Sequence, residues 1–193
     1  MMKMERMPPP DFLRKHCRVW EFAEKRERNP KYRFQWKTYK GGKVNEKLRE
    51  EFGSHCAFCD SWPLGISSHK SIEHFRPKSQ YPRLAYAWPN LFPCCDVCQN
   101  AKGEKFDKKL LKPDTKDYHF DRYFVLSYKT GKVEANPSAT QAEQKRAEIT
   151  IETYGLNKFG RSHSRLIEWR KYQGISDEYL CIDDFSYRFF LME

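Results

Sequence analysis

The stretch "IEHFRPKS" sets a carboxylate, Glu73, directly before an imidazole, His74, with Pro77 three residues further on. A carboxylate can hold a divalent cation, while an imidazole with an ordinary pKa of about 6.5 can take a proton from water. Its surroundings make the pair more than two chance neighbours. "CAFC" supplies Cys56 and Cys59, and "CCDVC" supplies Cys95 and Cys98, with Cys94 to spare. Two C-x-x-C pairs can bring four thiolates to one tetrahedral Zn²⁺, because each pair bends the backbone into a turn aimed at the ion. The two pairs are separated by 35 residues, Asp60 to Cys94. An ordinary zinc ribbon needs roughly 15–20, so this gap has room for a further structure, and "IEHFRPKS" lies inside it. His55 and His69 are further candidate ligands for either metal, ranked below the cysteines and His74. Cys17 and Cys181 stand alone and read as small core residues.

On a regular strand Glu73 and His74 would face opposite sides. Pro77 argues against a long strand, and an irregular strand end is expected to turn both side chains into one cleft. Upstream, Asp11 is a candidate N-cap for a helix through "FLRKHCRVWEFAEKRER", stopped by Asn29-Pro30. "YRFQW" alternates aromatic and polar residues, as a short strand or extended arm does. Gly41-Gly42 is expected to break the chain, and "KVNEKLREEF" then places Val44, Leu48 and Phe52 on one helical stripe. Downstream, "YFVLSYKTGKVEA" predicts a hairpin turning at 129–131. A helix is expected to open at Pro137-Ser138 and close at Gly155, and another to span 161–172 and stop at Gly174. The expected fold class is α+β in three segments: a basic helical 1–52, a metal-bearing core over 53–106, and a hairpin with helices and an acidic tail over 107–193.

The chain has 193 residues and a formal net charge of +10, which favours an anionic partner, nucleic acid first. Residues 1–50 hold 15 Lys/Arg against 7 Asp/Glu, whereas the last 21 hold five acids and one arginine. No apolar run approaches the roughly 20 residues of a membrane span, and "MMKMERMPPP" lacks the apolar core of a signal peptide. A cytoplasmic location is therefore expected. Thiols stay reduced there, so the seven cysteines read as metal ligands before disulfides.

Two C-x-x-C pairs flanking an acid–His–x–x–Pro stretch, then "NL", then a lysine four residues beyond the last cysteine, resemble a zinc-stabilised HNH endonuclease with a ββα-metal (His-Me finger) core. The resemblance implies that His74 is the general base, that Glu73 ligates a catalytic Mg²⁺ or Mn²⁺, and that Asn90 holds the loop and orients the histidine. On this reading the second ring nitrogen of His74 bonds a carbonyl at or near residue 90, and folding survives the loss of Glu73 or His74. The family pattern has His or Asn directly after the last cysteine. Here that residue is Gln99, with Asn100 next, so either is a candidate for the final ligand. Lys70, Arg76, Lys78, Lys102 and Lys105 are candidate phosphate contacts. The longer run "IEHFRPKSQYPRLAYAWPNLFPCCDVCQNAKGEKF" resembles the retron-associated and Septu-type, PtuB-like HNH proteins. That implies antiviral defence against phage DNA beside an ABC/RecF-like ATPase. The competing class is a non-catalytic zinc module or adaptor that binds nucleic acid or the ATPase.

Overall fold

The computed structural model describes residues 1–14, 20–36, 41–66, 70–175 and 180–192. The elements run α1 (Asp11–Arg14), α2 (Glu21–Arg28), α3 (Gly41–Glu51), β1 (Lys70–His74), β2 (Leu91–Cys95), α4 (Asp96–Lys102), α5 (Phe120–Tyr123), β3 (Phe124–Ser127), β4 (Lys132–Ala135), α6 (Gln141–Tyr154) and α7 (Arg161–Gln173). Both sheets are two-stranded and antiparallel, β1 with β2 and β3 with β4. The class is mixed α+β.

Sequence pattern explains most of these boundaries. Val44, Leu48 and Phe52 recur at helical spacing and all point into the core. Gly41-Gly42 opens α3 instead of breaking the chain. Thr140 starts α6, three residues after Pro137, because Thr140 and Glu143 form a reciprocal capping box; Gly155, at φ 58°, closes the helix. The β3–β4 turn ends at Gly131, where φ is 70° and an added Cβ would lie 2.0 Å from the Ser162 carbonyl oxygen. Only glycine lets the hairpin approach α7 so closely.

One buried core draws on all three sequence segments, from Leu13 through Phe92 to Phe190. Arg165 is wholly buried on α7. It donates to the Gly131 and Leu156 carbonyls at 2.6 and 2.9 Å and to Asn157 Oδ1 at 2.8 Å, tying α7 to the hairpin.

Further sequence expectations change. Asp11 is the first residue of α1 rather than a cap before it, and the helix expected through residue 28 is described as two pieces, α1 and α2, with Cys17 outside the described residues. Cys181 is exposed rather than buried in the core. The acidic C-terminal stretch is anchored: Tyr187, Phe189, Phe190 and Leu191 are buried, and the Arg188 side chain clasps both carboxylate oxygens of Asp60 at 2.7 and 3.1 Å.

Leu48→Ala should destabilise the chain by about 2–5 kcal/mol, the range for a buried leucine replaced by alanine. Denaturant titration checks this. A loss well below 1 kcal/mol would show that α3 does not pack on the core as described.

Candidate active site and metal centre

Cys56, Cys59, Cys95 and Cys98 converge so that their sulfurs lie within 4.8 Å of one another, all buried. Cys56 and Cys59 sit on the turn after α3, Cys95 ends β2, and Cys98 lies in the first turn of α4. Backbone N–H groups already point at the sulfurs. The Cys95 amide donates to Cys56 Sγ and the Cys98 amide to Cys95 Sγ, each at 3.4 Å. The Arg161 guanidinium, at the start of α7, adds donors at 3.1 Å to Cys98 Sγ and 3.6 Å to Cys95 Sγ.

Burial alone would push the Cys56 thiol up, but hydrogen bonds from the other cysteines hold it well below its ordinary value. Cys95 is pushed up by its bonding to Cys56 and Cys59, and Cys98 by burial and its neighbours. The first thiolates therefore oppose the ionisation of the others, and a dication resolves that conflict. Four soft sulfur donors with backbone N–H support fit Zn²⁺.

Cys94 is buried but turns aside, its S–H donating to the Cys95 carbonyl at 3.2 Å. The His55 ring nitrogens face the Gly53 and Phe185 carbonyls at 2.9 and 3.1 Å, so His55 is engaged in packing the chain and not in ligation. His69 lies outside the described residues.

The second cysteine pair straddles the junction of β2 and α4, and β2 pairs with β1 so that Lys70 faces Cys95 and His74 faces Leu91. Glu73 and His74 are each 5% exposed. β1 ends at His74, and both side chains line one cavity of about 420 Å³ together with Lys78, Gln99, Asn100 and Glu104.

His74 Nε2 is 2.9 Å from the Ala85 carbonyl oxygen. That oxygen only accepts, so Nε2 carries the proton and Nδ1 keeps its lone pair. The carbonyl belongs to Ala85 and not to residue 90, but Asn90 acts one residue away. Asn90 Nδ2 donates to the Leu84 and Arg76 carbonyls at 3.1 and 3.0 Å, and Asn90 Oδ1 accepts from the Arg76 amide at 2.8 Å. Asn90 thus staples both ends of the loop that carries Ala85. Burial, with a smaller push from the Lys78 charge, lowers the His74 pKa to about 3.

Lys102 is the residue whose placement the sequence least foretells. Its side chain is fully buried, with Nζ 2.6 Å from Glu73 Oε1 and 3.0 Å from the His74 carbonyl oxygen. Lys102 is therefore withdrawn from the surface and cannot serve as a phosphate contact. Burial pushes the Glu73 carboxyl up against the opposing pull of Lys102. Because Glu73 balances a buried cation, its removal is expected to cost folding stability, contrary to the sequence-based expectation. Gln99 Nε2 donates to the Ile72 carbonyl at 3.2 Å, and Asn100 is exposed at the cavity rim. Glu104, which sequence reasoning missed, contributes a second carboxylate to the lining and accepts from the Ser79 hydroxyl. Glu73, Gln99, Asn100 and Glu104 thus bring side-chain oxygens to one lining, with the Glu73 carboxylate already paired to Lys102.

Arg76 is exposed, with its guanidinium over the Tyr81 and Phe106 rings, and Lys78 is half-buried at the cavity. Lys105 is exposed and donates to the Ala101 carbonyl at 2.8 Å. The Lys70 side chain lies outside what is described.

No family model matches the chain. Septu protein PtuB of Bacillus thuringiensis is 34% identical over 80 residues, covering 39% of this chain and 31% of that protein. Over that stretch the chain is similar to PtuB. Septu protein PtuB of Bacillus mycoides (strain KBAB4) is 29% identical over 99 residues, covering 45% of this chain and 33% of that protein. The PtuB likeness is thus one of a segment: the chain spans about a third of the length of the curated relatives it matches.

Lys102→Met should cost about 3–5 kcal/mol, because it leaves the Glu73 carboxylate buried and unpaired. Glu73→Gln combined with Lys102→Met should recover most of that loss in denaturant titrations. Additive losses in the double variant would contradict the pairing. Between its folded value of about 3 and its ordinary 6.5, His74 binds a proton only once the chain unfolds. The His74 contribution is therefore fully present above pH 6.5 and is lost on acidification toward pH 3, by at most about 1.4 kcal/mol per pH unit. Stability–pH curves of the parent and His74→Gln should diverge in that window, with the variant flatter; parallel curves would contradict the burial of a neutral His74.

Proposed function

We propose that this chain is a metal-dependent HNH endonuclease that hydrolyses DNA phosphodiesters, the nuclease component of an anti-phage defence system acting with an ABC/RecF-like ATPase. The observation that carries the reading is the histidine geometry. Nε2 of His74 is committed to the Ala85 carbonyl, and the ring lines the cavity beside Glu73. A β1–β2 pair followed by α4, braced by four cysteines, is consistent with a ββα-metal core around a structural Zn²⁺. The likeness to Septu protein PtuB supports the defence role, and the ATPase partner is what the sequence resemblance implies.

On this reading Glu73, with Gln99 or Asn100, holds a Mg²⁺- or Mn²⁺-type cation, which when bound offsets charge developing on the phosphate and on the leaving oxygen. Nδ1 of His74 removes the proton from the attacking water. Asn90 keeps the Arg76–Ala85 loop in register, so the imidazole cannot turn its lone pair away. Lys78, which lines the cavity, and the exposed Arg76 and Lys105 hold the DNA backbone without reading sequence.

The adaptor reading is favoured by one observation, the Lys102 ammonium that already neutralises Glu73. Plasmid DNA incubated with the chain, with and without the ATPase, in Mg²⁺, Mn²⁺ or EDTA separates the two. The nuclease should cut with metal and not with EDTA. His74→Ala should lower the rate by about 10²–10⁴-fold, the share of a positioned general base, with little change in DNA affinity. A His74→Ala variant that cuts as fast as the parent, or a parent that cuts under no condition, overturns the nuclease reading.

A further inference from the structure

The segment 32–36, "YRFQW", lies outside the cysteine-framed block and yet reaches the histidine. Its alternation survives in the fold: Tyr32, Phe34 and Trp36 are partly buried, while Arg33 and Gln35 are exposed. The inward residues join Phe22 of α2 and Ala85 and Tyr86 of the catalytic loop in a small apolar cluster beside the main core. Phe34 stacks on Tyr86 with ring centroids 4.6 Å apart, and it meets Phe22 and Trp36 edge-on at 5.3 and 4.9 Å. The Tyr86 hydroxyl donates to the Gln35 carbonyl at 3.3 Å, fixing the arm to the same loop.

Two of these rings enclose His74. Trp36 stacks on the imidazole, 5.7 Å between centroids with planes 23° apart, and Phe34 meets it edge-on at 5.2 Å and 89°. The hydrogen bond from Nε2 to Ala85 fixes one edge of the ring but leaves the imidazole free to tilt about that bond. A stacked indole limits the tilt, and a perpendicular phenyl ring limits sliding in the plane. Ala85, whose carbonyl orients the ring, belongs to the same cluster, so the arm holds both the ring and its acceptor.

We propose that Trp36 and Phe34 are positioning residues of the active site, holding the His74 imidazole plane so that Nδ1 stays aimed at the cleft. The catalytic half of this proposal rests on the nuclease reading; the orientation of the ring does not. A misplacement of about 1 Å can cost about 10²-fold in rate, so Trp36→Ala should lower kcat at least about tenfold. KM for DNA should stay near the parent's in Trp36→Ala, because the contact of this arm with Lys78, whose Nζ lies 5.5 Å from the Phe34 ring centroid, is left in place. Trp36→Phe, which keeps an aromatic face, should restore most of the rate.

The test uses the full chain and two readouts. The first is the kcat and KM of plasmid cleavage for the parent, Trp36→Ala and Trp36→Phe. The second is the His74 Hε1 resonance, assigned by its loss in His74→Ala and displaced in the parent by the ring currents of Trp36 and Phe34. The expected result is a lower kcat at constant KM together with a His74 resonance that moves toward its unstructured position, both reversed in Trp36→Phe. If Trp36→Ala melts well below the parent, Phe34→Leu takes its place for kcat and the resonance, with Trp36→Phe kept as the variant expected to match the parent. An unmoved resonance overturns the positioning whatever the enzyme does. A kcat that rises would make the arm a cover over the site and also overturn it. A parent that cuts nothing overturns the nuclease reading, and the resonance still decides whether the arm holds the ring.

Discussion

The arrangement depends first on the convergence of four sulfurs from chain segments that lie far apart. Cys95 is at the centre of it. It ends β2, its sulfur accepts from the Cys98 amide and so caps α4, and it faces Cys59 Sγ at 3.6 Å. The strand, the helix and the turn after α3 thus meet at one residue. Without a cation, four thiols in so small a space resist joint ionisation, and a buried arginine compensates only two of them. With a cation the same cluster becomes the fixed point from which β1, and therefore Glu73 and His74, are aligned.

From that fixed point a second network orients His74. Asn90, just before β2, closes the loop that begins at Arg76 and presents the Ala85 carbonyl. Ala85 sets the imidazole tautomer. Lys102, one turn along α4 from Cys98, reaches back to Glu73 and to the backbone of His74. α4 thus contributes a cysteine to the metal cluster and a buried ammonium to the cleft. This coupling makes the stability of the cleft inseparable from the charge on Glu73, since an unpaired ion in such a place is costly.

Local spacing made part of this readable from the sequence. C-x-x-C pairs, the adjacent Glu73 and His74, the α3 stripe and the β3–β4 turn are signals of a few residues each, and each constrains the backbone directly. The remainder depended on contacts between distant segments. Lys102 and Arg165 look like ordinary basic residues on exposed helix faces, and nothing in their neighbourhoods shows that they turn inward to buried acceptors. Asn90 could be assigned to the loop, but the carbonyl it positions, Ala85, has no sequence signature because any residue supplies a carbonyl. The aromatic alternation of 32–36 showed an arm with one apolar face, yet its destination, about 40 residues downstream, is set by tertiary packing.

The claim on which all of this stands is that a metal at the four cysteines holds the cleft together, and a melting profile tests it most directly. The metal-stripped chain should be compared with the same chain given one equivalent of Zn²⁺. Binding that leaves the site a thousandfold above its Kd stabilises by about 4 kcal/mol, and for a domain of this size each kcal/mol raises Tm by about 2–4 °C. The account predicts a cooperative transition raised by about 10 °C or more on zinc addition. A stripped chain that melts at the same temperature and with the same sharpness as the zinc-loaded one would contradict it.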